Sequence, residues 1–473
     1  MELIYKVKDR PPFGKTLVFA FQQLLAILAA TIAVPTVVKS VTGVEMSQSA
    51  ALFGAGVGTL VYLLFTKFRS PVFLGSSFAF LNSMFVAFGG GVSAAAGYMG
   101  LLIGAVLAGL VYVIISLVVK FAGVKWISKL MPAVVIGPTV AIIGLSLAGN
   151  AAGDLLKGSV LDATAAPVAS PYVALICGLV TLFTVIIASV YGKKMTKLIP
   201  FIIGILAGYV VAAIFTLIGT VADIPSLMVI DFAKFANMKW LPEFTFVEIF
   251  KGEMTFGDIG SFGAYLATIA VAYVPVAFVV FAEHIADHKN LSTIINHDLL
   301  EEPGLDKTLL GDGIGSMVGA FFGGCPNTTY GESVGCVAIT KNASVVTIFT
   351  TAIIAIVISF FAPFVTFLAT IPSCVMGGVC VALYGFIAVS GLKMIQKVDL
   401  GANSNLFVVS VILIAGIGGL KLTFGAVTLT STAVALILGI ITNLIVNKGR
   451  AAEGVEAAPA EEAQEEVTEE VAE

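Results

Sequence analysis

The sequence predicts an all-α polytopic membrane protein of fourteen transmembrane segments arranged as two inverted seven-span repeats. Three observations predict it. The 473 residues are 58% hydrophobic and 11% charged, with a mean hydropathy of +1.05. The few charges are spaced so as to leave long apolar runs. The two halves of the chain also carry the same motifs in the same order. A water-soluble domain is roughly a quarter charged, so this composition leaves too little polar surface to cover so much apolar side chain.

The runs set the elements in order. Residues 16–38, 46–66, 130–153, 163–192, 198–222, 259–282, 400–420 and 422–447 contain no Asp, Glu, Lys or Arg, and the runs 70–119 and 342–392 are about twice as long. A helix needs about 20 apolar residues to cross the hydrocarbon. The single runs therefore supply eight spans and the double runs four. The charge-poor stretch 313–341 adds two more, one short and carrying Glu332. The expected organisation is a cytoplasmic N-terminus (1–16), a first seven-span repeat (17–222), an extracytoplasmic loop (223–258), a second, inverted repeat (259–447) and an acidic tail (448–473).

Orientation follows from the basic residues. Of 25 Lys and Arg, all but Lys39, Lys157, Lys234, Lys239, Lys251 and Lys421 fall in loops on the side of the N-terminus. Basic loops stay in the cytoplasm, so both termini are expected there, in a multi-pass protein of the cytoplasmic (inner) membrane. The first apolar run is too long for a signal-peptide core and reads as a retained span. The five cysteines lie in or beside apolar segments without CxxC spacing and read as packing residues. From Ala451 onward the chain has nine Glu and no basic residue. That composition predicts a disordered cytoplasmic extension. Removing its nine charges takes the formal net charge from −4 to +5, so the acidic balance says nothing about a substrate.

The repeat is legible in motifs. Met131-Pro132 with Gly137-Pro138 matches Ile371-Pro372 with Gly377-Gly378, and Val34-Pro35 matches Val274-Pro275. Gly54, Gly56 and Gly58 before Val61 recur as Gly311, Gly313 and Gly315 before Val318, and Gly75-Ser-Ser-Phe78 corresponds to Asn327-Thr-Thr-Tyr330. Seven spans is an odd number, so the second copy enters the membrane upside down. Such inverted repeats mark alternating-access transporters that hold substrate near the midplane. The three-glycine runs sit in apolar helices without the strand or the Lys of a nucleotide loop, and read as close helix packing.

The third and tenth spans carry the chemistry. Each begins with turn-rich sequence, Ser70-Pro71 to Ser77 and Gly323-Gly324 to Thr329. Pro, Gly and paired hydroxyl residues interrupt helix and cap a new one. Two broken spans are expected, with half-helices starting near Phe78 and near Gly331. Backbone that leaves helical bonding inside a bilayer is tolerated where it lines a site, and free N–H groups at helix starts suit carbonyl oxygens or anions. Glu283 closes an uninterrupted apolar run and Glu332 falls in the first turn of the second half-helix. An acid at membrane depth is a functional candidate by default. Asp287 lies one turn after Glu283 on the same face. His284 and His288 read as interfacial, solvated residues, and His297 as a loop residue. Two carboxylates, free N–H groups and the rings of Phe78, Tyr330 and Tyr384, with no Lys or Arg in these spans, suit a small neutral planar molecule with N–H donors and C=O acceptors. A channel or anion exchanger would place a basic residue there. No HExxH metalloenzyme motif is present, and the chain is not expected to be an enzyme.

At these residues the sequence resembles the nucleobase–ascorbate transporter family, in its bacterial uracil permease branch, from Arg10 to about Lys448. The resemblance is carried by Gly75-Ser-Ser-Phe-Ala-Phe80, Ala282-Glu-His-Ile285, Pro326-Asn-Thr-Thr-Tyr-Gly-Glu332, Ala338-Ile-Thr-Lys341, Val375-Met-Gly-Gly378 and Leu383-Tyr-Gly385. It implies core and gate domains, import of uracil by proton symport, and a homodimer in the bilayer, with no cofactor, metal or nucleic-acid partner. It implies that Glu283 and Glu332 bond the ring edge, that the amides of Phe78 and Gly331 donate to ring carbonyls, and that Ala30, Tyr330 and Tyr384 line the site. Some uracil permeases have a His, linked to proton coupling, where this chain has Asp287. The carrier here is therefore sought among Asp287, Glu283, Glu332 and His288. Transport of a purine such as xanthine or urate, or coupling to Na+, are the alternatives within the family.

Overall fold

A computed structural model describes residues 3–123, 132–162, 164, 166–193, 195–424 and 427–452. The acidic tail beyond Ala452, Met131 of the repeated motif, and the loop residues Lys125, Lys129 and Lys194 lie outside the described residues. The chain is mostly helical. Among the described residues, eight helices are long and apolar enough to cross a membrane. They are α1 (Phe13–Thr42), α2 (Gln48–Phe65), α4 (Ala94–Ala122), the continuous pair α5–α6 (Ala133–Ser146, Ala148–Asp154), α7 (Pro171–Tyr191), α8 (Pro200–Val221), α9 (Phe262–Ile295) and α14 (Ser373–Gln396). A ninth is formed if α12 (Val345–Ile358) and α13 (Ala362–Thr370), bent by 84°, count as one span. The remaining stretches give the further helices α3 (Leu81–Ala87), α10 (Leu305–Gly323), α11 (Gly331–Thr340), α15 (Asn403–Ile417) and α16 (Ser431–Ala452).

Local chemistry sets these limits. Ser47, Ser93 and Ser261 each cap a helix by accepting a bond from the backbone N–H three residues on. Gly43 and Gly324 end α1 and α10 in the left-handed conformation, at φ 74° and 72°. Pro363 opens α13, where a missing N–H costs nothing. The run 422–447, read as one uninterrupted span, instead begins with an antiparallel hairpin, β3 (Leu422–Phe424) with β4 (Val427–Leu429). Thr423, Val427 and Thr428 favour extended chain, and helix starts only at Ser431.

The helices pack in two groups. In the first, α10 lies on α2 and α4, α9 on α4, and α12 on α1 and α2. In the second, α14 lies on α5 and α7, α8 on α7, and α15 on α5 and α16. The glycine runs make a close crossing. A Cβ on Gly58 would stand 2.7 Å from the Gly315 carbonyl oxygen, and one on Gly315 would stand 2.8 Å from that of Gly58. The two backbones touch because neither position carries a side chain. All five cysteines are buried and free.

Candidate functional site

The site is built on the two interrupted spans. Pro71 and Gly75 in one, Pro326 and the β-branched Thr328 and Thr329 in the other, disfavour helix. The chain there forms two fully buried strands, β1 (Leu74–Ser76) and β2 (Asn327–Thr329). They pair antiparallel, Leu74 with Thr329, Gly75 with Thr328 and Ser76 with Asn327. The Ser77 N–H extends the pairing by donating to the Pro326 carbonyl at 2.9 Å. Each backbone thus satisfies the other within the helix assembly, where no water is at hand.

Helix resumes directly after each strand, as a single 3-10 turn Phe78–Phe80 leading into α3, and as α11 from Gly331. Both starts match the positions expected from sequence. Neither has a capping side chain, so first-turn N–H groups are left for another acceptor. Phe78 is 9% exposed and meets the Tyr384 ring edge-on, with centroids 5.8 Å apart. Tyr384 is itself buried.

The acids converge from α9 and α11. Glu283 and Asp287 stand one turn apart on α9 and Glu332 is the second residue of α11; all three are half-buried. The Thr329 hydroxyl donates to Asp287 Oδ2 at 2.7 Å, joining α9 to β2. Gly331 is exposed, and a Cβ built there would meet only Asp287 Oδ1, at 3.8 Å. Among the described residues, no Lys or Arg pairs with Glu283, Asp287 or Glu332.

Other expected residues take different places. Tyr330 is buried, its hydroxyl donates to the Ser76 carbonyl at 2.8 Å, and its ring covers Gly75. It works as a strut across the strand pair. Ala30 is buried in the interior of α1. His284 and His288 are not solvated. Both are 0% exposed and their rings stack at 4.0 Å. They lie about 100° around α9 from the acids, against α10 and α2, where polar partners replace water. His284 Nδ1 is 2.7 Å from Asp312 Oδ2 and its Nε2 is 3.0 Å from the Thr308 hydroxyl. His288 Nε2 is 2.7 Å from the Tyr62 hydroxyl, and its Nδ1 donates to the His284 carbonyl at 2.8 Å. His297 lies in the loop after α9, as expected.

Sequence reasoning passed over Asp312, Thr308, Tyr62 and Gln23. Asp312 had a readable signal, as the one acid inside the Gly311–Gly315 run. Residues 331–335 also spell G-x-S-x-G, the nucleophile-elbow pattern of serine hydrolases. Ser333 has no such setting: it is 0% exposed, and its hydroxyl oxygen accepts from Gln23 Nε2 at 2.5 Å and from the Phe73 N–H at 3.2 Å.

Two uncapped helix starts and a set of acids are thus brought together inside a bundle of apolar helices. Residues 14–424 match the model of a family described as a permease family, and the molecule is a membrane transport protein. Among similar proteins, a uracil permease of Bacillus caldolyticus is 37% identical over 452 residues, covering 93% of this chain and 94% of that protein. A uracil permease of Escherichia coli (strain K12) is 33% identical over 441 residues, 93% of each. The chain belongs to this permease family, the nucleobase–ascorbate transporters. The transmembrane domain of the cyanobacterial bicarbonate transporter BicA has the same fold, with a TM-score of 0.61 at 14% identity, over 93% of this chain and all of that one. Murine Slc26a9, an anion transporter in the inward-facing state, gives 0.62 at 13% identity over 94% of this chain and 69% of that one.

Proposed function

We propose that the protein imports uracil across the cytoplasmic membrane by proton symport, through alternating access. The observation that carries this reading is the acid set at the paired half-helices, in a chain 33–37% identical to proteins named uracil permease. Uracil is neutral and planar, with ring N–H groups next to carbonyls. Glu283 and Glu332 accept from the ring N–H edge, and the amides of Phe78 and Gly331 donate to the carbonyls. Phe78 and Tyr384 supply apolar faces, while Ala30 and Tyr330 close the site. Among the described residues the acids have no Lys or Arg as counter-charge, and a proton on Glu283, Asp287, Glu332 or His288 can supply it.

Adding the two broken spans, the bent pair α12–α13, and α10, α15 and α16 to the eight long helices gives fourteen spans. They divide into two inverted repeats of seven, with both termini cytoplasmic. The first packing group is the core that holds the acids and the second is the gate, working as a homodimer. Rocking one group against the other exposes the midplane to either side in turn.

Radiolabelled uracil uptake into proteoliposomes tests this. Uptake that rises with an inward proton gradient and collapses with a protonophore is expected. Uptake indifferent to the gradient discards the symport. Failure of folded protein to take up uracil discards the substrate, and competition by excess xanthine redirects it to purines.

A further inference from the structure

A cavity of about 10 Å³ lies between α4, α9 and α10, lined by Phe80, Tyr112, Val280, Asp312, Ser316 and Asn327 among others. Two polar atoms on its walls are unsatisfied. Asp312 Oδ1 and the Tyr112 hydroxyl are buried and, among the described residues, have no hydrogen-bond partner. Their residues are 1% and 3% exposed. The other carboxylate oxygen of Asp312 is taken by His284. A buried carboxylate oxygen and a buried phenol left unpaired are both destabilising, and buried polar atoms in folded proteins nearly always have a partner.

We infer that this cavity is a binding site for a single water molecule, which bridges Asp312 Oδ1 and the Tyr112 hydroxyl. The volume accepts about one water, and a buried water needs two or more polar partners, which these groups supply. Phe80 and Val280 present carbon to the same space, and among the described residues no group of three or more His, Cys, Asp or Glu that could hold a metal ion is found. The water donates one proton to Asp312, completing the bonding of the side chain that holds His284, the neighbour of Glu283. It ties Tyr112 on α4 to that pair.

A density map of the full-length protein, sharp enough to show ordered water elsewhere among the helices, tests the site directly. One peak within hydrogen-bond distance of both Asp312 Oδ1 and the Tyr112 hydroxyl is expected. An empty cavity in such a map overturns the inference. Thermal unfolding of Tyr112→Phe gives a second reading. With the water present, losing the hydroxyl lowers the melting temperature by about 2 °C. In a dry cavity the same change removes an unpaired buried hydroxyl and raises it. A melting temperature that rises with NaCl over choline chloride in the unaltered protein, and not in Tyr112→Phe, overturns water in favour of Na+.

Discussion

The two short strands pair residue for residue and each leads straight into helix, but they differ in what lies over them. On β1, Gly75 sits beneath the Tyr330 ring, so closely that a Cβ would also stand 2.8 Å from the Tyr330 hydroxyl oxygen. After β2, Gly331 is open, with only Asp287 Oδ1 near the place a Cβ would take. The helix after β1 carries no acid in its first turn, and the helix after β2 carries Glu332. One backbone device therefore serves two purposes. The first strand is the packed support. The second presents its helix start, its acid and its hydroxyl to the groups on α9.

That contrast can be broken most severely at the acid. Glu332→Gln keeps the shape and removes the charge, so saturable uracil uptake should fall about 100-fold, as expected for loss of a charge-assisted bond worth about 3 kcal/mol. Uptake per molecule of protein in the membrane measures it, and near-normal uptake would remove Glu332 from the site.

Gly75→Val tests the support. Forcing a branched side chain under Tyr330 should cost about 1–3 kcal/mol, seen as a lower melting temperature and less folded protein, with purine and pyrimidine selectivity unchanged in what folds. An unaffected melting temperature would show that the Tyr330 ring yields freely. Thr329→Val then removes one neutral-to-carboxylate bond while keeping the β-branched shape. A loss of about 1 kcal/mol, read as a roughly fivefold weaker uracil affinity, is the expected result; unchanged affinity would detach Asp287 from the strand's role.

The smallest effects separate the glycines of α11 itself. Gly335 has open space around it, so Gly335→Ala should stabilise the helix by up to about 1 kcal/mol and leave uptake alone. Gly331→Ala should fold as well, yet place a methyl group beside Asp287 and weaken uracil binding several-fold. Equal behaviour of the two variants would mean that the opening at Gly331 is not where substrate sits.

Sequence by itself determined the membrane class, the positions of the apolar runs, the glycine contact and the two breaks. These are local or additive properties. An apolar run of sufficient length must be buried in lipid or protein, and Pro, Gly and paired Thr interrupt helix wherever they stand. The starts at Phe78 and Gly331 followed from that alone. Tertiary structure decided what each polar side chain meets. His284 and His288 read as solvated because they stand next to the charged stretch beginning at Lys289. Their burial depends on Asp312, Thr308 and Tyr62, which arrive from α10 and α2, up to 226 residues away in the chain. The hairpin at 422–429 was invisible for the same kind of reason, since an apolar run of valines and threonines satisfies both helix and strand until its neighbours choose. Tyr330, read as a wall of the site, is also a strut, because the Ser76 carbonyl, 254 residues away, accepts from its hydroxyl. Periodicity and composition record how a segment meets solvent or lipid. Pairing between distant polar groups is recorded only in the fold.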